Sequence, residues 1–275
     1  MKMRVLAWIL LLLTLLSLLL SCTPRAQDVL CVTVLDVGQG DCTLLSLNGH
    51  HVLIDTGSAA SREQLLGELD RLGVGDLDAI FLTHSHEDHY GNVGMLVETR
   101  TVGTLFVAYA QDAELGYRLA LERAITARTN IQTIFDEDVL WIDGMEYEVY
   151  CPLPKDPEPN NAGLVLRVRY GDCRLLFTGD AELAAECALL ARGVDLRCDF
   201  LKVGHHGSKT ACSVEFLQAS APKIATISCA ADNDYGFPHD EVLDGLEAVG
   251  TAVYRTDLAG TLRFVCDGTN IIFEE

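Results

Sequence analysis

His84-Ser85-His86-Glu87-Asp88-His89 places four candidate metal donors within six residues. Neutral imidazoles and a carboxylate suit zinc, or failing that manganese or iron. In extended backbone, side chains two apart share a face, so His84 and His86 can grip one ion. Asp88 and His89 lie past a bend and can reach a second. A solvated polar loop is the plain alternative, but four such residues seldom fall together by chance.

Two other apolar runs, far away in sequence, end in donor residues of the same kind: Thr178-Gly179-Asp180 and Gly204-His205-His206-Gly207-Ser208. Alone, Asp180 reads as a β-turn aspartate as readily as a ligand. Beside two histidine clusters it is the natural bridging carboxylate. One of His205 and His206 completes the second set; the sequence favours His205 slightly without deciding. Two ions about 3.5–4 Å apart clamp a phosphoryl or acyl oxygen and lower a water pKa toward about 7, so no protein nucleophile is required. Neither a Gly-x-Ser-x-Gly elbow nor a Walker loop is present. Asp88 then has two roles, as ligand and as the residue orienting the attacking group.

The elements that must position these groups are legible from periodicity. Residues 31–37, 42–47 and 51–54 read as strands, with Gly38-Gln39-Gly40-Asp41 as a tight turn and Asn48-Gly49 as a hairpin signal. Ser61 with Gln64 reads as a capping box opening a helix, whose apolar face is Leu65, Leu66, Leu69 and Leu72 and whose stop is Gly73. The run 77–83 is the strand that delivers the first histidines; helices start at Asn92 and cover 114–128. In the second half, 139–150 reads as a strand pair, 164–170 with 174–177 as a hairpin, 181–192 as a helix and 199–203 as a strand. Strands at 223–228 and 262–265 flank a helix over 241–249. Each half therefore reads hairpin, polar strand end, helix, strand, histidine loop: a duplicated β-β-α-β unit in a single domain, 29–275.

The 275 residues carry a net charge of −20, with 40 acidic against 20 basic side chains. A protein gripping polyanions normally carries a basic footprint, so tight nonspecific nucleic-acid binding is not expected. The N-terminus has Lys2 and Arg4, then a short apolar run over 7–20 that suits a signal-peptide core better than a spanning helix. Leu19-Leu20-Ser21-Cys22 looks like a bacterial lipobox, so residues 1–21 are expected to be a lipoprotein signal peptide, Cys22 the lipidated residue and 22–28 a tether. An uncleaved N-terminal anchor is the alternative. Both place the domain outside the cytoplasmic membrane, lipid-anchored or secreted. The remaining cysteines show no zinc-knuckle spacing, and most read as small buried residues.

His84-x-His86-x-Asp88-His89, Asp55-Thr56-Gly57, Gly179-Asp180 and His205-His206-Gly207-Ser208 together resemble the metallo-β-lactamase fold superfamily. Leu35-Asp36-Val37-Gly38-Gln39-Gly40-Asp41, Asn160-Asn161-Ala162-Gly163-Leu164-Val165-Leu166 and the His-His-Gly-Ser run resemble, more narrowly, the hydrolase domain of the ComEC competence proteins. The likeness runs from about residue 32 to about residue 264. It implies an α/β four-layer αββα sandwich, a dinuclear zinc or manganese site and phosphodiester chemistry. Carried over by position, His84 and His86 hold the first ion, Asp88 and His89 the second, Asp180 bridges, and His205 or His206 completes the set. Many superfamily members supply a further ligand histidine where Asn160 and Asn161 stand, which leaves the first ion weakly held here. Asn160, Asn161, Ser208 and Lys209 are carried as substrate-binding positions. His239 resembles a late histidine that contacts substrate or acts as an acid, and reads equally as a plain helix N-terminal residue. Asp36 and Asp41 are expected to orient the ligand loops or simply to form the turn.

The reading that follows is an extracytoplasmic metal-dependent hydrolase acting on a phosphodiester, small or cell-wall-linked, with DNA as the competing substrate. An acyl hydrolase, and a noncatalytic metal-binding lipoprotein on the same scaffold, are the alternatives; metal content and turnover separate them.

Overall fold

The computed structural model describes residues 28–108 and 114–274; the expected signal peptide, Cys22 and nearly all of the tether lie outside them. The first strands are β1 (Leu30–Val34), β2 (Thr43–Leu47), β3 (His50–Ile54), β4 (Leu77–Leu82), β5 (Val102–Val107) and β6 (Asn130–Thr133). There follow β7 (Val139–Ile142), β8 (Met145–Tyr150), β9 (Val165–Tyr170), β10 (Cys173–Phe177), β11 (Phe200–Lys202), β12 (Ile224–Ile227), β13 (Ala252–Arg255), β14 (Leu262–Cys266) and β15 (Ile271–Glu274). Among the described residues they form two sheets, ordered β15-β14-β1-β2-β3-β4-β5-β6 and β13-β12-β11-β10-β9-β8-β7. Between and around them run α1 (Arg62–Arg71), α2 (Glu87–Tyr90), α3 (Val93–Thr99), α4 (Leu115–Thr126), α5 (Pro159–Ala162), α6 (Leu183–Ala191), α7 (Val214–Ser220), α8 (Asp240–Ala248) and α9 (Thr256–Ala259).

Side-chain alternation along each strand builds the layers. In β4, Ala79 and Phe81 face the other sheet while Ile80 and Leu82 face the helices, so the strand reads as one apolar run. Phe81, Tyr147, Phe177, Phe200 and Phe264 fill the seam between the sheets. Leu65 and Leu69 of α1 close one outer layer; Phe216, Leu217 and Leu246 close the other. Each such side chain contributes roughly 1.5–3 kcal/mol on burial. The result is the expected four-layer αββα sandwich.

The duplicated unit is present in the register. β2 and β3 pair antiparallel, α1 crosses over, and β4 runs parallel to β3. β9 and β10 pair antiparallel, α6 crosses over, and β11 runs parallel to β10. Both units therefore send a polar strand end and a histidine loop to the same edge of the sandwich. Ser61 precedes α1 as expected, but the capping box does not form: its hydroxyl donates to Ser58 O and accepts from Asn92 Nδ2 instead. Among the described residues, no helix is long and apolar enough to cross a membrane.

Candidate metal centre

The loop after β4 begins extended, with His86 at φ −80 and ψ 147, and then enters α2. His84 and His86 thus share a face, and their Nε2 and Nδ1 atoms lie 3.2 Å apart. The turn of α2 throws Asp88 and His89 in another direction. The glycine-rich turn after β1 packs against this loop: Asp41 N–H donates to Asp88 O at 3.1 Å, and a Cβ at Gly40 would sit 2.6 Å from that oxygen. Gly40 also has φ +146, so no other residue suits the position.

After β10 the chain turns at Gly179, φ +51, and brings Asp180 between the histidines. The donor atoms fall into two sets that share it. His84, His86 and Asp180 form one; Asp88, His89, Asp180 and His206 form the other, with the atoms of each set within 4.8 Å of one another. His89 Nε2 lies 3.3 Å from Asp180 Oδ1, and His206 Nε2 lies 3.1 Å from Asp88 Oδ2 and 3.6 Å from Asp180 Oδ2. His84 Nε2 is 3.9 Å from Asp180 Oδ2. Donors that share an ion at about 2.0–2.2 Å stand at such separations.

Three of the imidazoles are turned by partners behind them. His89 Nδ1–H donates to Asp55 Oδ2 at 2.7 Å, and His206 Nδ1–H donates to Ser228 O at 3.0 Å. Thr83 Oγ1 gives its own proton to Asp55 and lies 3.0 Å from His84 Nδ1. Each arrangement leaves Nε2 facing the centre, the tautomer a metal requires. His89 Nε2 and Asp180 Oδ1 are buried and have no hydrogen-bond partner. Orphaned buried polar atoms are costly, and a divalent cation between them removes the cost. The residues fit the ion.

The electrostatics point the same way. Burial opposes charge on His89, but Asp180 and Asp55 outweigh it and hold its pKa well above the ordinary value. His206 is pushed up to about 10 against the same burial penalty, by Asp180 and Asp41. Burial also opposes ionisation of Asp180, yet His89 and His206 keep its carboxyl well below the usual range. Burial and the charge on His89 keep His84 neutral. The pocket is thus built for positive charge at its middle.

His206, and not His205, completes the second set. Both residues occupy the left-handed region, at φ 47 and φ 53. Two successive non-glycine residues there are strained by about 1–3 kcal/mol each, and the effect is to splay the neighbouring rings. His206 is buried among the donors, while His205 stands over the cavity with Nε2 4.0 Å from Asp180 Oδ2. His205 Nδ1 is held by Thr210 Oγ1 at 3.0 Å and Glu182 Oε1 at 3.2 Å.

The other expected site residues divide. Asn160 lines the cavity beside His86, Asp88, Asp180, His205 and His206, with its Oδ1 buried and unpartnered. Asn161 Oδ1 instead accepts the Ala185 N–H in α6. Ser208 is buried and exchanges hydrogen bonds with Thr210, and Lys209 borders a separate groove with Glu182 and Leu183. His239 stands behind Phe237 and accepts the Lys209 backbone N–H at 3.1 Å, away from the cavity lining. Asp36 accepts Gly38 N–H and shapes its turn.

Lys202 was not anticipated. It is buried at the end of β11, its Nζ 2.7 and 2.8 Å from the two oxygens of Asp41 and 3.0 Å from Val203 O. Nζ donates to Asp41 Oδ2 and to Val203 O, and Asp41 Oδ1 completes the ion pair. Although burial opposes ionisation, Lys202 keeps the Asp41 carboxyl well below its ordinary range. Asp41 also lies 3.6 Å from His206 Nδ1, so the pair joins the two halves directly beneath that imidazole. A lone lysine within Phe200-Leu201-Lys202-Val203 was the available signal.

A two-sheet sandwich with these donors at one edge defines a class, and the Metallo-beta-lactamase superfamily profile matches residues 35–231. The chain belongs to that superfamily of metal-dependent hydrolases. Among curated relatives it is 34% identical over 252 residues to ComE operon protein 3 of Bacillus subtilis (strain 168), covering 85% of this chain and 32% of the relative. It is 34% identical over 236 residues to Competence protein ComA of Neisseria gonorrhoeae, again covering 85% of this chain and 32% of the relative. The chain thus spans about a third of the length of these relatives. The metallo-beta-lactamase fold protein YhfI from Bacillus subtilis shares the fold, with a TM-score of 0.60 at 15% identity, covering 87% of this chain and 99% of that one.

Proposed function

We propose that this chain is a dinuclear zinc- or manganese-dependent phosphodiesterase, held outside the cytoplasmic membrane through Cys22. The observation that carries the reading is Asp180, which stands between two donor sets with one oxygen facing His89 and the other facing His84 and His206. Held by His84, His86, Asp88, His89, Asp180 and His206, two such ions would supply Lewis-acid stabilisation of the phosphoryl oxygen and an activated water.

The chain's own residues do the rest. Asp55, Thr83 and Ser228 fix the imidazole tautomers, and Lys202–Asp41 holds the floor under His206. Asp88, the most exposed of its donor set at 30%, orients the attacking group. His205 faces the cavity through Nε2, backed by Glu182 and Thr210, and delivers a proton to the leaving oxygen. General-acid help of this kind contributes about 10²–10⁴-fold. His205 takes this role in place of His239, which is not at the cavity.

The acidic surface supports a small or cell-wall-linked diester over polymeric DNA, while the competence relatives keep single-stranded DNA at low salt as the necessary comparison. The full chain should hydrolyse bis-p-nitrophenyl phosphate with manganese or zinc, and Asp180→Asn and His86→Ala should lose that turnover; undiminished turnover in either variant refutes the reading. Membrane fractionation of wild type against Cys22→Ser tests the anchor.

A further inference from the structure

The cavity at the metal centre, about 330 Å³, is lined in part by Tyr235 and Phe237. Phe237 lies nearly parallel to the His206 ring, with centroids 6.4 Å apart and an interplanar angle of 24°. Tyr235 stacks in turn on Phe237, at 5.2 Å and 16°. Tyr235 is 64% exposed at the rim of this polar site. The loop that carries the two rings is pinned from within. Asn233 Nδ2 donates to Ala230 O and Phe237 O, both at 2.8 Å, and Asn233 Oδ1 accepts the N–H groups of Phe237 and Tyr235 at 2.8 and 3.2 Å. The flat outer face of Tyr235 is therefore held ready, and a ligand does not have to order it.

We infer that Tyr235 is a specificity-determining residue that stacks on a nucleobase carried by one arm of the phosphodiester, and that this arm ends at that nucleoside. The inference rests on the phosphodiesterase reading and deepens it. A single flat face suits a planar heteroaromatic ring, whereas a quaternary ammonium is held by several faces around it. Asp232 and Asp234, both exposed, flank the tyrosine, and a second phosphate on that arm would meet them.

The test uses the full chain with manganese and follows two substrates by phosphorus NMR: dithymidine monophosphate and the ring-free diester glycerophosphoglycerol. Tyr235→Ala should raise KM for the dinucleoside about tenfold, with kcat little changed and the glycerol diester unaffected, and Tyr235→Phe should restore the wild-type KM. Equal effects on both substrates, or none, overturn the inference. So does a glycerophosphocholine KM that depends on Tyr235 as strongly, since the flanking carboxylates would also serve a cation. If wild type turns over neither substrate, the phosphodiesterase reading fails on its own account. Saturation-transfer NMR of thymidine 5′-monophosphate then decides the stack separately: a thymine signal present in wild type and lost in Tyr235→Ala supports it, and no difference overturns it.

Discussion

Asp55 and Asp180 follow corresponding strands of the two repeated units, yet only Asp180 reaches the donor cluster's middle. Asp55 comes directly after Ile54 at the end of β3 and turns back to hold His89 and Thr83. Asp180 comes three residues beyond Phe177, past a glycine in the left-handed region, and so projects among the histidines. The histidine loops differ in the same spirit. The first uses extended backbone followed by a helical turn to spread four donors; the second uses two strained residues to send adjacent rings opposite ways. One supersecondary unit thus yields a cluster of candidate donors in one copy and the aspartate that stands among them in the other, through small changes in where the strand is left.

The largest effect expected from breaking that asymmetry belongs to Asp180→Asn. Turnover of bis-p-nitrophenyl phosphate should fall at least about 10³-fold, and bound metal, measured by elemental analysis, should drop from two ions per chain to fewer than one. His205→Ala against His206→Ala sharpens the contrast within the second loop. His206→Ala should lose metal, whereas His205→Ala should keep it and slow an alkyl diester about 10²-fold while sparing bis-p-nitrophenyl phosphate, whose leaving group needs no proton. Asp55→Asn, the counterpart of Asp180→Asn, should cost only about 10–100-fold in metal affinity or activity, seen by titration calorimetry.

Two smaller effects concern stability. Lys202→Met deprives buried Asp41 of its closest counter-charge, which should cost about 3–5 kcal/mol in urea unfolding; Lys202→Met with Asp41→Leu should recover much of it. The metal-free protein should also lose stability as pH rises. His206 has a folded pKa of about 10 against an ordinary 6.5, so its contribution is complete below about 6.5 and gone above about 10. Melting temperatures of chelated protein across that window should fall, and those of metal-loaded protein should hold, because there the ion replaces the proton.

The candidate donors were legible because chemistry repeats at strand ends: three apolar runs each close on His or Asp, and the first hairpin announced itself through Asn48-Gly49. Elements with mixed or polar patterns were not anticipated. β6 is Asn130-Ile131-Gln132-Thr133 and mostly exposed; β5 carries Gly103 and Thr104; β13 and β15 are short edge strands whose partners alone define them. The choice of His206 over His205 depends on backbone dihedrals that no local pattern encodes. Lys202 finds Asp41 across 161 positions of chain, and Ser61 gives up its cap for Asn92, another long-range contact.

Anomalous diffraction from crystals of the manganese- or zinc-loaded protein tests the central claim most directly. Two peaks are expected about 3.5–4 Å apart, one bounded by His84, His86 and Asp180 and the other by Asp88, His89, Asp180 and His206. A loaded crystal with no peak beside Asp180, or with density only at other residues, would contradict it.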